Sequence, residues 1–390
     1  MTSPAKPPFI MTSEEGSFAR FTIEERKPMI IDRILDCFDY PPVIHEALLA
    51  FKTEMKEGTI QPLQEITNDR EIWDHDMQPW LDKPWLEIPW FLAETYFYRR
   101  VLEAVQYFQP GPWQGLNPYQ RLKDRETRTA MAIFTPIYDQ MAPALSLSSF
   151  RDAITKALWG NRTDLSNLQS FEHDMSNQSE RIIRDDSAAV FAFLKDRPRK
   201  IAYIFDNVGK ELYFDLALVD QLLRHNLAAN VTFYLKNQPY FVSDAMPDDL
   251  EAVLGQLAAS DAKKDRALAS RLRKNIRTGR IQIETPPFFT TGRMYRQMPA
   301  ILSKQIGERD LAILKGDVNY RRLVGDRHWP PTTLIGAAAG HFPTAFVSLR
   351  TMKAELVVGL TVDQVADLDA NAEPDWQING KRGMITYLEK

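Results

Sequence analysis

One cysteine in 390 residues, Cys37, rules out an internal disulfide and any cluster of thiolates around zinc. It sits in a helical apolar pattern over residues 29–38 and reads as a small buried hydrophobe, in keeping with a reducing compartment. The six histidines, His45, His75, His173, His225, His328 and His341, have neither His-x-His nor His-x-x-x-His spacing, which argues against an imidazole metal centre. No apolar run reaches the roughly eighteen residues a membrane span needs. Residues 1–10 carry prolines without an apolar core and do not read as a signal peptide. Excess positive charge is missing too: 48 Lys and Arg face 52 Asp and Glu, for a net charge of −4 and a pI near 6.0. A broad basic footprint for nucleic acid is therefore absent. Neither internal repeats nor low-complexity tracts occur. The expectation is a soluble cytoplasmic protein, with a nuclear share and the oligomeric state left open, that binds neither membrane nor nucleic acid.

What is present is ample apolar material: 44% hydrophobic residues and eight tryptophans. At this length a single core usually divides, so two units are expected. Residues 1–20 read as an extended arm and 21–199 as a helical domain. Apolar residues at helical spacing predict helices over 21–38, 43–51, 90–108, 119–138 and 187–195. Trp80, Trp85 and Trp90, set among prolines, read as packing anchors in a loop. From residue 200 to 390 short apolar runs alternate with helical patterns, as in an α/β unit. The basic segment 263–280 reads as an amphipathic helix with a solvated charged face.

The chemistry is concentrated where predicted strands end. Residues 201–205 form an apolar run that stops at Asp206-Asn207, and a predicted helix over 210–226 brings Glu211 into the same turn. A second strand, 231–235, leads through 236–243 to Asp244, 38 positions after Asp206, enough for one βαβ unit. Two parallel strands can thus aim Asp206, Asn207 and Asp244 at one point, at the edge of an open sheet where ligands bind. Two carboxylates and an amide oxygen make a hard ligand set suited to Mg²⁺ or Mn²⁺. Helix capping is the competing explanation, since Asp, Asn and Ser cap helices at such turns. A third strand, 311–314, runs into Asp317 and Asn319, close enough in an extended loop to face one way. A fourth, 345–349, runs into Arg350, Thr351 and Lys353, two cations and a hydroxyl of the kind that hold a phosphoryl group. Asn161 and Asp164 either cap a helix or reach across to the site.

Six separated motifs then carry a resemblance over nearly the whole chain: Gly-Ser-Phe-Ala-Arg-Phe-Thr at 16–22, Leu-Trp-Gly-Asn-Arg-Thr-Asp-Leu-Ser at 158–166, Asp-Asn-Val-Gly-Lys-Glu at 206–211, Lys-Asn-Gln-Pro-Tyr-Phe-Val-Ser-Asp at 236–244, Lys-Gly-Asp-Val-Asn-Tyr-Arg at 315–321 and Leu-Arg-Thr-Met-Lys at 349–353. In these the chain resembles the metal-dependent damage-control phosphatases, in particular the eukaryotic sugar-phosphate phosphatase branch with an Arg-Thr-x-Lys signature, also described as protein-glutamate carboxyl methyltransferases. The resemblance implies a Mn²⁺ or Mg²⁺ cofactor, with Co²⁺ or Ni²⁺ as substitutes, held by Asp206, Asn207 and Asp244. It also implies substrate contacts from Glu211, Leu349, Arg350, Thr351, Met352, Lys353 and a late lysine, here Lys381. Asp206, Asp244 and Asp317 are the expected catalytic carboxylates, with Asn319 orienting a substrate oxygen. The expected substrates are small phosphorylated metabolites such as fructose 1-phosphate and fructose 6-phosphate. The alternative activity is S-adenosylmethionine-dependent methyl transfer to a protein glutamate, against which stands a first strand-to-helix turn with only one glycine. The expected fold is α/β: a multihelical N-terminal region packed on a C-terminal Rossmann-like α/β/α sandwich with a mostly parallel sheet.

Overall fold

A seven-stranded sheet organises the molecule, and the computed structural model describes residues 6–160 and 181–390 of it. Its strands are β1 (Ile182–Asp185), β2 (Arg199–Ile204), β3 (Ala228–Tyr234), β4 (Ile281–Glu284), β5 (Leu311–Lys315), β6 (Phe346–Thr351) and β7 (Gly383–Leu388), in the spatial order β1-β7-β6-β5-β2-β3-β4. All neighbours are parallel except β6 and β7. The central strands are apolar on both faces because both faces are covered. Ile201, Tyr203 and Phe205 pack into one core with the helices Gln120–Gln140, Leu147–Trp159 and Lys210–Arg224. Ala202 and Ile204 pack into the other, with the helices Ala300–Gly307 and Gly316–Val324 and with Trp90.

β2 pairs with β3 on one side and with β5 on the other, so the chain reverses its direction of travel across the sheet between β2 and β5. In an open α/β sheet such a reversal opens a crevice at the carboxyl ends of the strands. Asp206 and Asn207 lie at the end of β2, Asp244 in the loop after β3, and Asp317 just past β5.

The α/β layer also draws on chain well before residue 200. β1 adds to the sheet edge from residues 182–185, and two helices between residues 120 and 159 cover its face. A four-residue, half-buried edge strand carries too little periodicity to be read from sequence. The helices before residue 105 form their own core around Trp73, Trp85, Tyr96 and Phe97. Trp85 and Trp90 are buried as expected of anchors, and Trp80 is half-buried. This region is fastened to the sheet by a buried ionic chain, Lys27–Glu94–Arg321–Asp326, in which Arg321 also lies 3.5 Å over the Trp90 ring. Asn161 and Asp164 lie outside the described residues, among which no helix is long and apolar enough to cross a membrane.

Candidate active site

Capping does not account for the acidic residues at the strand ends. The helix Lys210–Arg224 starts at Gly209 with no side-chain cap, and Pro247–Ala259 is boxed by its own Asp249, so Asp206, Asn207 and Asp244 cap neither. Instead the two loops pair with each other. Val208 N donates to Ser243 O at 2.8 Å, Ala245 N donates to Asp206 O at 2.8 Å, and Asn207 bridges to Asp244 in antiparallel fashion. That pairing brings the three expected ligands together.

The Asp206 carboxylate is buried, and its Oδ1 has no hydrogen-bond partner. Its Oδ2 accepts from Asn207 Nδ2 at 2.6 Å, and the same amide nitrogen donates to Glu211 Oε2 at 3.0 Å. Asn207 Oδ1 accepts from Ser243 Oγ at 2.6 Å, which leaves one of its two lone pairs for a cation. Lys236 Nζ donates to Phe205 O and lies 2.9 Å from Asp244 Oδ2, with which it forms a buried ion pair. Burial, followed by Glu211 and Asp244, pushes the Asp206 carboxyl well above its ordinary range, while Lys236 and Lys315 pull the other way. Burial likewise raises Asp244 against the pull of Lys236.

Charge balance decides what such a site can hold. Asp206, Glu211, Asp215 and Asp244 are each at most 2% exposed, and so are the two lysines among them, Lys236 and Lys315. Were all four carboxylates ionised, the two ammonium groups would leave two negative charges in a low-dielectric setting, where unpaired charge is costly, and the raised Asp206 and Asp244 carboxyls reflect that cost. One divalent cation would carry the missing charge, and Asp206 Oδ1 is an acceptor suited to it. The described residues contain no group of three or more His, Cys, Asp or Glu side chains arranged for a metal, so a protein ligand set here would need the Asn207 oxygen.

The approach of β5 to Asp206 is close. Gly316 has φ +80°, and a Cβ there would stand 1.9 Å from Asp206 Oδ2. Gly316→Ala therefore combines backbone strain with a clash against the carboxylate. We expect a stability loss of about 1–3 kcal/mol and a larger proportional loss of divalent-cation binding, compared by denaturant titration and calorimetry.

Among the remaining expected site residues, Asp317, Asn319 and Arg350 are placed differently from the sequence reading. Residues 316–324 form a helix and not an extended loop, because the left-handed Gly316 turns the chain directly into it. Two positions apart on a helix point away from each other, so Asp317 and Asn319 do not face one way. Asp317 Oδ1 accepts from Arg350 Nε at 2.6 Å. Asn319 accepts from Tyr295 and donates to the carbonyls of Phe205 and Lys315, so it holds the ends of β2 and β5 together. Arg350 is fully buried: it donates to the carbonyls of Leu356 and Ala354 and stacks 4.1 Å over Tyr320. Leu349 and Met352 are core residues. Thr351 donates to Leu158 O at 3.2 Å. Lys353 is half-buried in the turn shaped by Arg350, with its Cε 3.9 Å from where a Cβ on Gly380 would stand. Lys381 is exposed and paired with Glu373 at 3.0 Å.

Sequence reasoning assigned no role to Lys236, Ser243, Asp215 or Lys315, all of which contact the cluster. The available signal was a lysine at the end of each of two buried strands, where snorkelling to solvent is impossible. Lys315 is the more enclosed of the two. Burial pulls its ammonium down, but Asp215 and Glu211 more than reverse this and hold it above the ordinary lysine range.

Residues 22–368 match the family model described as the damage-control phosphatase ARMT1-like domain. Curated relatives named damage-control phosphatase ARMT1 align over nearly their whole length. The Xenopus laevis protein is 29% identical, covering 96% of this chain and 97% of that one. The Homo sapiens protein is 28% identical, covering 98% of each. Among solved structures, a DUF89 family protein of Pyrococcus horikoshii superposes with a TM-score of 0.54 at 16% identity, over 94% of this chain and 98% of that one, a likeness of fold. With the family model spanning the helical region, strands β1 to β6 and the loops that carry Asp206, Asp244 and Lys353, the chain belongs to the damage-control phosphatase family with the ARMT1-like domain.

Proposed function

We propose that the protein is a divalent-metal-dependent phosphoric monoester hydrolase acting on sugar phosphates, ketose phosphates such as fructose 1-phosphate and fructose 6-phosphate among them, in cytoplasmic clean-up of metabolites. The observation that carries this reading is the partnerless, buried Oδ1 of Asp206 in a cluster short of two positive charges. Asp206, Asn207 and Asp244 would hold Mn²⁺ or Mg²⁺, with Co²⁺ or Ni²⁺ as substitutes. When bound, the cation supplies Lewis-acid neutralisation of phosphoryl charge.

The protein's own groups account for the rest. Lys353 brings an ammonium to the phosphate, and Arg350 serves it by fixing the turn on which Lys353 stands. Glu211 receives sugar hydroxyls on lone pairs left over from Lys315 and Asn207. Lys381, in the neighbouring turn, closes over the substrate. Hydrolysis joins a water oxygen to phosphorus, breaks the bond to the sugar oxygen, and moves one proton from water to that oxygen. Asp317, with Oδ1 engaged by Arg350, is the carboxylate assigned to this proton.

Methyl transfer from S-adenosylmethionine is the reading to be excluded. The one glycine of the turn between β2 and the helix Lys210–Arg224, Gly209, meets Glu126: a Cβ there would stand 2.7 Å from Glu126 Oε1. A phosphate-release screen across sugar phosphates should give turnover with Mn²⁺ or Mg²⁺, none after EDTA, and no requirement for S-adenosylmethionine. Calorimetric binding of S-adenosylmethionine without metal-dependent phosphate release would overturn the proposal.

A further inference from the structure

The Lys315 ammonium is fully enclosed where four elements meet. It donates to Glu211 Oε1 at 2.9 Å and to Ala157 O at 2.6 Å, and lies 2.9 Å from Asp215 Oδ1. Asp215 Oδ1 in turn accepts from Tyr203 Oη at 2.7 Å. Ala157 belongs to the last turn of the helix Leu147–Trp159, whose carbonyl end favours a cation. The same helix end is held by Thr351 through Leu158 O, and a Cβ on the adjoining Gly160 would stand 2.6 Å from the Glu211 Cα. Glu211 is therefore fixed from the backbone side by Gly160 and from the carboxylate side by Lys315. Its other oxygen accepts from Asn207 Nδ2. Only the nitrogen of an amide can donate to a carboxylate, so this contact, with those to Asp206 Oδ2 and from Ser243 Oγ, sets where the Asn207 oxygen points.

We propose that Lys315 is a positioning residue for the cation site: it fixes Glu211, and Glu211 fixes the carboxamide of Asn207. The inference rests on the metal reading above. Groups that orient a metal ligand from behind are worth about 10- to 100-fold in affinity or activity, and Lys315 stands two contacts behind the ligand, in reach of no solvent.

The sign of the effect makes the proposal testable. Removing a positive charge from beside a cation site strengthens cation binding on electrostatic grounds alone, whereas removing a positioning group weakens it. Mn²⁺ binding to the full chain is measured by calorimetry for wild type, Lys315→Met, Glu211→Gln and the double variant, with circular dichroism to verify folding. Lys315→Met should weaken Mn²⁺ by about 10-fold or more. It should add little in the Glu211→Gln background, because residues acting through one another are not additive. Lys315→Gln, equally neutral but still a donor, should recover part of the loss. If Lys315→Met does not fold, Lys315→Gln against wild type carries the test, with a weakening of about 2- to 10-fold expected, less than the roughly 10- to 100-fold for outright loss of such a group because the amide still donates. Binding as tight as wild type or tighter in a folded variant, or full additivity with Glu211→Gln, overturns the inference and leaves the metal reading standing. A wild-type protein that binds no Mn²⁺ removes the metal reading and this inference with it.

Discussion

Asp206→Asn should reduce metal-dependent phosphate release by about 1000-fold, the loss expected when several kcal/mol of charge stabilisation at the phosphoryl group disappear. The fold should survive. Asn matches Asp in size, and the carboxylate it replaces is buried beside Glu211 and Asp244, which repel it. In buffer without divalent metal the variant should therefore unfold at a higher denaturant concentration than wild type, since a functional site commonly holds charges the fold would shed. Two measurements check this: phosphate release with saturating Mn²⁺, and a urea titration after EDTA treatment. Retained activity would remove Asp206 from the site. A large fall in stability would mean that its role is structural.

Arg350→Ala should show the reverse balance, with stability as the main loss. The truncation removes the Asp317 ion pair, leaves the carbonyl of Leu356 without its Arg350 donor and that of Ala354 with Leu356 N alone, and empties the space over Tyr320. Breaking a buried ion pair from one side costs about 3–5 kcal/mol, enough to shift a denaturant midpoint clearly. Activity should fall with it, because the turn carrying Lys353 loses its clamp. A variant as stable as wild type but with weakened binding of phosphorylated ligands would mean that Arg350 meets the phosphate directly.

The difference between these two residues marks what a sequence can disclose. Asp206 ends an apolar run of β-branched and aromatic residues, and a strand interrupted by a carboxylate can be recognised from local pattern alone. The spacing from Asp206 to Asp244 fits a βαβ unit, so the meeting of two strand ends was legible as well. Arg350 ends a strand in the same manner, and locally it is indistinguishable from a phosphate ligand. Its commitment to Asp317, Leu356 and Ala354 depends on a helix starting at Gly316 and on a turn that folds back six residues later. Neither is a periodic feature.

The amino-acid sequence by itself determined the mostly parallel α/β plan, the helical region before it and the strand ends that carry the acidic cluster. Hydrophobic period and strand-end polarity are local properties, written in a few consecutive residues. Tertiary structure alone decided which groups are bound up inside the protein and which are left near the crevice at the strand ends. The early edge strand β1 joins the sheet only through β7, which follows it by almost two hundred residues. Lys315 and Asp215 acquire their meaning from burial beside Glu211, and Asn319 from the two strand ends it links. Burial and pairing are set by contacts between distant parts of the chain. The energy of a charge depends on those surroundings far more than on its sequence neighbours.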